Sequence, residues 1–179
     1  DRRLLLVPFR DLSVSHGHGY GESKRGRRVI QAFRAWTESN AEPAFADEES
    51  TESVVRQLQE WTKEKITARD WVPLLRGVGA DLVLVGEITK IRHRDPKTIG
   101  LTQGTIEAGY SLVDATSGSE VHRATELKLS FPLLKELDRP MQDAQAIEVL
   151  RKELPKRAAD HAPALLEAYR RSRQALALP

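Results

Sequence analysis

Cysteine is absent from all 179 residues, which excludes disulfide scaffolds, thiolate zinc sites and cysteine nucleophiles for this stretch of chain. The absence fixes no compartment, since periplasmic and cytosolic proteins both do without it. Long apolar runs are missing as well. The longest, Leu4–Pro8 and Leu82–Val85, are strand-sized, far short of the roughly 18 to 20 residues a membrane-spanning helix needs. Charge of one sign is lacking too: 28 basic residues face 26 acidic ones, a net charge of +2, which makes no strong case for nucleic acid. Aromatics are only 6%, and Phe9 and Tyr20 alone flank the first basic cluster, too few to stack single-stranded bases. What is present, 30% charged and 40% hydrophobic residues, is the make-up of a soluble globular domain with room for an appendage. No signal peptide is visible. The chain opens at Asp1 and turns apolar within three residues, as a processed or trimmed chain would.

The pattern along the chain predicts an α/β fold with a mixed or antiparallel sheet. Arg3–Phe9 reads as a buried strand, with Pro8 near its end because proline donates no amide to a ladder. A polar loop, Asp11–Glu22, carries Gly17, Gly19 and Gly21. Val29, Ile30, Phe33 and Trp36 then recur at helical spacing over residues 23–38, with arginines on the other face. A weak strand around Ala44–Ala46 precedes a helix capped by Ser50 or Thr51, with Val54, Val55, Leu58 and Trp61 on its stripe. A short helix from Thr67 or Asp70 runs through Trp71 and Leu75, and Pro73 fits it only in the first turn. Ala80–Ile88 is the strongest strand. Thr102–Val113 and Glu120–Phe131, the latter with Val121 on its apolar side, form a hairpin around Asp114–Gly118. Residues 132–179 are helical in pattern, with Pro155 separating 141–154 from 156–176. Two parts follow: residues 1–131 as the α/β domain, and 132–179 as a helical extension packed on it.

Three blocks in this order carry a resemblance. Leu4-Leu5-Leu6-Val7-Pro8-Phe9-Arg10-Asp11-Leu12-Ser13 is similar to the "v-x-v-l-P-F-x-D-l-S" opening of bacterial envelope proteins related to the curli secretion lipoprotein CsgG. The TolB N-terminal domain and the flagellar lipoprotein FlgO share that opening. Leu74–Ile88 resembles their "l-G-x-x-l-G-A-D-y-v-l-x-G-x-i" block, and Tyr110–Val121 their "l-x-l-v-D-a-x-T-G-e-v" hairpin. Gly79 and Gly118 supply left-handed turns there, and the Asp114 carboxylate caps the hairpin. The resemblance implies an anticodon-binding-domain-like sheet with flanking helices, a C-terminal β-meander and a helical tail. It also implies a periplasmic lipoprotein anchored to the outer membrane by a tether before residue 1. Such members act through envelope protein partners, in secretion, in flagellar rings or in activating peptidoglycan synthases as LpoB-type lipoproteins do. Homo-oligomers fall within the family's range, whereas the long amphipathic segments that pore formers insert are not evident here. The resemblance implies no enzyme activity and no cofactor.

Candidate sites are few. His16 and His18 have the spacing of two metal ligands, with Asp11 or Glu22 to help, in a loop that otherwise reads as flexible and glycine-rich. The same loop lies before a helix N-terminus, where phosphate can bind. Its glycines fall as G-x-G-x-G, however, and no Walker sequence occurs. Lys24, Arg25, Arg27 and Arg28, together with Arg92, His93, Arg94 and Lys97, are the candidate anion or partner surface, against a plain reading as solvated faces. Asp11 and Glu87 are carboxylates that strand ends could in principle bring together, the arrangement acid–base work needs. No nucleophile elbow, zincin or kinase signature is present. Taken with these absences, the resemblance implies a non-enzymatic envelope scaffold or accessory subunit, and no specific nucleic acid is expected. The alternative is a small cytosolic domain binding RNA or nucleotide through residues 16–28.

Overall fold

The computed structural model describes residues 3–13, 19–38, 44–60, 66–92, 104–131, 152–153, 156 and 160–175. Among them the chain forms, in order, β1 (Arg3–Leu6), β2 (Arg10–Asp11), α1 (Lys24–Glu38), β3 (Ala44–Phe45), α2 (Glu48–Gln59) and α3 (Ala68–Gly77). Then come β4 (Leu82–Arg92), β5 (Gly104–Asp114), β6 (Ser119–Phe131) and α4 (Ala162–Ala175). The fold is α/β, built on one six-stranded mixed sheet ordered β3-β1-β4-β5-β6, with β2 also pairing β4. β1 lies between parallel partners, Leu4–Leu6 opposite Leu82–Leu84 on one side and Arg3–Leu4 opposite Ala44–Phe45 on the other.

The central position of β1 explains its unbroken apolar run. Leu4 and Leu6 enter a core shared with Val29 and Phe33 of α1 and with Leu165 and Tyr169 of α4. Leu5 and Val7 enter a second core with Val54 of α2 and Trp71 and Leu75 of α3. A strand covered on both faces needs apolar residues at every position, and each fully buried leucine adds roughly 1.5–3 kcal/mol. β4, β5 and β6 continue as an antiparallel meander.

Phe9, fully buried, lies between two glycines. A Cβ on Gly86 of β4 would stand 2.3 Å from its ring, and one on Gly26 of α1 would stand 1.9 Å from its carbonyl oxygen. Only glycine lets helix and strand approach the segment this closely. β2 escapes a reading by periodicity, because two residues beyond Pro8 carry no pattern.

Three details correct the sequence reading. Asp47, rather than Ser50 or Thr51, caps α2, its Oδ1 accepting the Ser50 amide at 2.7 Å. In α3, Thr67 is the N-cap and Asp70 closes a capping box, so Pro73 falls one turn deeper than its first turn. Pro73 itself is exposed. Val121 is 39% exposed. Leu112 pairs His122 while Val113 pairs Glu120, leaving Val121 as the extra residue of a bulge in β6. The hairpin turn follows expectation: Asp114 Oδ1 accepts the Thr116 amide at 2.6 Å, and Gly118 has φ +61°. Gly79 has φ +63°, as a helix-to-strand turn requires. Trp71 is core, at 2% exposure. Trp61, His16, His18 and residues 141–151 lie outside the described residues, as does the side chain of Trp36.

Candidate functional site

The α1 arginines separate instead of forming one basic face. Ser23 caps α1, its Oγ accepting the Gly26 amide at 3.2 Å and lying 3.4 Å from Asp11 Oδ2. Asp11, only 1% exposed, sits before that helix end and is paired by Arg25 at 3.1 Å. It also accepts bonds from the Ser13 amide and hydroxyl. The positive end of the helix favours the carboxylate there. Arg27 turns the other way, to Glu52 at 2.8 Å and the Gly21 carbonyl at 2.9 Å. Lys24 and Arg28 stay exposed. Arg92 ends β4, its side chain outside the described set, and His93, Arg94 and Lys97 lie outside it entirely.

Asp11 and Glu87 do not meet as a carboxylate pair. Asp11 registers with Ile88, on the α1 and α4 side of the sheet, whereas Glu87 registers with Arg10 on the opposite side. Successive strand residues alternate faces, so the sheet itself keeps the two carboxylates apart.

On the Glu87 side lies a feature that the sequence did not announce. α2 and α3 cover the apolar part of this face, around Leu5, Val83 and Val113. Farther along, the same strands turn polar and leave an open groove of about 670 Å³. Its floor carries Glu87 of β4, Gly109 and Ser111 of β5, and Glu120 and Arg123 of β6, while Tyr20, Thr67 and Trp71 form the wall. Glu87 registers with Gly109, and Ser111 with Arg123, which sets these residues side by side across three strands.

Two ion pairs organise the floor. Arg10 donates from Nε at 2.8 Å and from Nη2 at 2.5 Å to Oε2 of Glu87. Both bonds fall on one oxygen, so Oε1 keeps its acceptor capacity. Arg123 grips Glu120 through both oxygens, Nε to Oε1 and Nη2 to Oε2, each at 2.8 Å, and the Ser111 hydroxyl adds 2.7 Å to Oε2. Burial works to raise the Glu120 pKa, but the Arg123 bond, the Ser111 bond and the Arg123 charge more than offset it, so it is lowered. Tyr20 meets Trp71 edge to face at 5.8 Å and has the Arg10 guanidinium 5.7 Å from its ring centre. Burial, which outweighs the charge of Arg10, pushes the phenol up to about 12. Both carboxylates are held by guanidinium groups, and the phenol stays neutral at physiological pH. The groove therefore offers paired charges and a neutral phenol as hydrogen-bonding groups.

A separate cluster lies on the other face. Tyr110 stacks edgewise on Phe33 at 5.4 Å and on His161 at 5.8 Å, with the His122 ring 5.8 Å away. Burial pushes the Tyr110 phenol up to about 12. Burial, aided by the charge of Arg171 and opposed by Glu120, lowers the His122 pKa. Among the described residues no group of three or more His, Cys, Asp or Glu is placed to hold a metal ion, and no helix is long and apolar enough to cross a membrane.

The fold recurs in solved structures. Protein XCC0632 from Xanthomonas campestris matches with a TM-score of 0.54 over 97% of this chain and 89% of its own, at 12% identity. Lipoprotein GNA1162 from Neisseria meningitidis matches with a TM-score of 0.50 over 87% of this chain and 99% of its own, at 16% identity. At these identities the likeness establishes a shared fold, one that a bacterial lipoprotein uses. No family model and no curated protein matches the sequence.

Proposed function

We propose that this chain is a non-enzymatic domain of a bacterial envelope lipoprotein, serving as a scaffold or accessory subunit through protein contacts. The observation that carries the reading is the fold shared with GNA1162 over 99% of that lipoprotein. The three sequence blocks similar to the CsgG, FlgO and TolB N-terminal proteins support it independently. On this reading the domain lies in the periplasm, held to the outer membrane by an acylated segment before Asp1. Residues 1–131 form the α/β domain and 132–179 its helical extension. The polar groove is its partner site, a place where interactions bind and orient. The exposed Lys24 and Arg28 remain a candidate surface for anionic head groups.

The test is fractionation of the tagged full-length protein from cells fed labelled palmitate. Label in the outer-membrane fraction is the expected result. An unlabelled cytosolic protein would overturn the reading and bring the RNA or nucleotide alternative forward, and the steep loss of RNA binding with rising salt would then identify it.

A further inference from the structure

We propose that the groove beside α3 takes an extended segment of a partner polypeptide, net neutral, with one basic and one acidic side chain about three to four residues apart. This rests on the protein-contact reading above and adds the chemistry of the contact.

Net charge comes first. Among the described residues that line the groove, Arg10, Glu87, Glu120 and Arg123 contribute two charges of each sign, and each cation is already paired with a carboxylate. Such a floor gives no net attraction to a phosphate-rich ligand, whose binding depends on unopposed cations. Sugars are disfavoured by the wall. Ring-face stacking needs an open aromatic, yet Trp71 is 2% exposed and the Arg10 guanidinium lies over Tyr20. A segment with one charge of each sign meets neither obstacle. Its main chain supplies donors and acceptors that suit Ser111 and Thr67.

The register sets the spacing. Arg123, with its side chain 62% exposed, is the accessible cation; Glu87, at 36%, is the accessible carboxylate with an oxygen to spare. The two stand two strands and two residue steps apart, roughly 12 Å by ordinary strand spacing and rise. An extended chain covers that in about three to four residues. Gly109, with no side chain, lies between them on the floor and leaves room for the segment to pass. Large exposed apolar residues among the described ones are only Leu12 and Val121. The described surface thus offers no broad apolar patch for a partner, and a polar contact of this kind is what it provides.

The experiment is selection of a displayed library of random ten-residue peptides on the purified chain, repeated with Arg123→Glu and with the milder Arg123→Gln, the fold of each checked by its unfolding midpoint because Arg123 also holds Glu120. Enriched peptides should carry both signs at the stated spacing. They should bind Arg123→Glu about tenfold or more weaker, the loss of one charge-assisted hydrogen bond. Enrichment of peptides of one sign, no enrichment, or binding unchanged by Arg123→Glu would each overturn the proposal. Binding of uncharged chito-oligosaccharides in place of peptides would overturn it together with the protein-contact reading. Failure of the peptides alone, with the labelled protein still in the outer membrane, removes only the peptide chemistry.

Discussion

Gly86 lies face to face with the ring of Phe9, so close that a Cβ there would stand 2.3 to 2.6 Å from three ring carbons. Because Phe9 is fully buried, the ring has no free space to yield into. Gly86→Ala should therefore cost about 1–3 kcal/mol by overpacking. Gly77, where an added Cβ would meet nothing within 4 Å and φ is not positive, is the control. Gly77→Ala should be neutral or stabilise by about 0.4–1 kcal/mol. Urea unfolding of both variants checks this, and equal effects would refute the packing described for Phe9.

Arg25 and Arg27 are two residues apart and should behave differently. Arg25→Met removes the only cation described beside the buried Asp11 carboxylate, leaving it the Ser13 and Ser23 bonds, and should cost about 3 kcal/mol. Arg27→Met breaks a pair whose side chains are 43% and 41% exposed and removes the bond to the Gly21 carbonyl, and should cost about 1–2 kcal/mol. Similar losses for the two variants would mean that the Asp11 pair is not buried as described.

Acid should act on stability in two windows. His122 has a folded pKa below its ordinary value of 6.5, so the unfolded chain takes the proton first. Its contribution is intact above pH 6.5 and declines as pH falls from there towards the folded value. Glu120, lowered from 4.5, contributes above pH 4.5 and loses that contribution as pH falls further, through its folded value. His122→Gln should abolish the upper decline and leave the lower one, as thermal midpoints measured from pH 8 to 3 would show. An unchanged upper decline would contradict the assignment.

In the hairpin, Gly118→Ala forces φ +61° on a residue with a side chain and brings its Cβ to 3.2 Å from Val72. The cost should be about 1–2 kcal/mol. Asp114→Ala frees the Thr116 and Ser117 amides and should cost about 0.5–2 kcal/mol, on the scale of a lost cap. Denaturant midpoints of both variants give the comparison.

Much of the fold is legible in the sequence because its signals are local. The apolar run of β1, the helical stripe of α1 and the Asp114–Gly118 turn each declare themselves within a dozen residues. The groove is not legible. Arg10, Glu87, Ser111 and Arg123 come from four strands, and only their register sets them on one face. One signal was available: Glu87 is the first charged residue after the apolar run Leu82–Val85 of a central strand, and a carboxylate at such a position calls for a partner. The clustering of Arg25 and Arg27 misleads for the complementary reason. Neighbours in sequence are not neighbours in charge once Asp11 and Glu52 claim them separately.

The most direct test of the central claim, a partner protein held at this groove, is site-specific photo-crosslinking in living cells. The probe replaces Thr67, exposed on the groove wall, and in a parallel strain Gln31, exposed on α1 across the sheet. A discrete adduct with an envelope protein is expected from position 67, lost on adding Arg123→Glu and absent from position 31. The same adducts from both positions, or none from position 67, would contradict it.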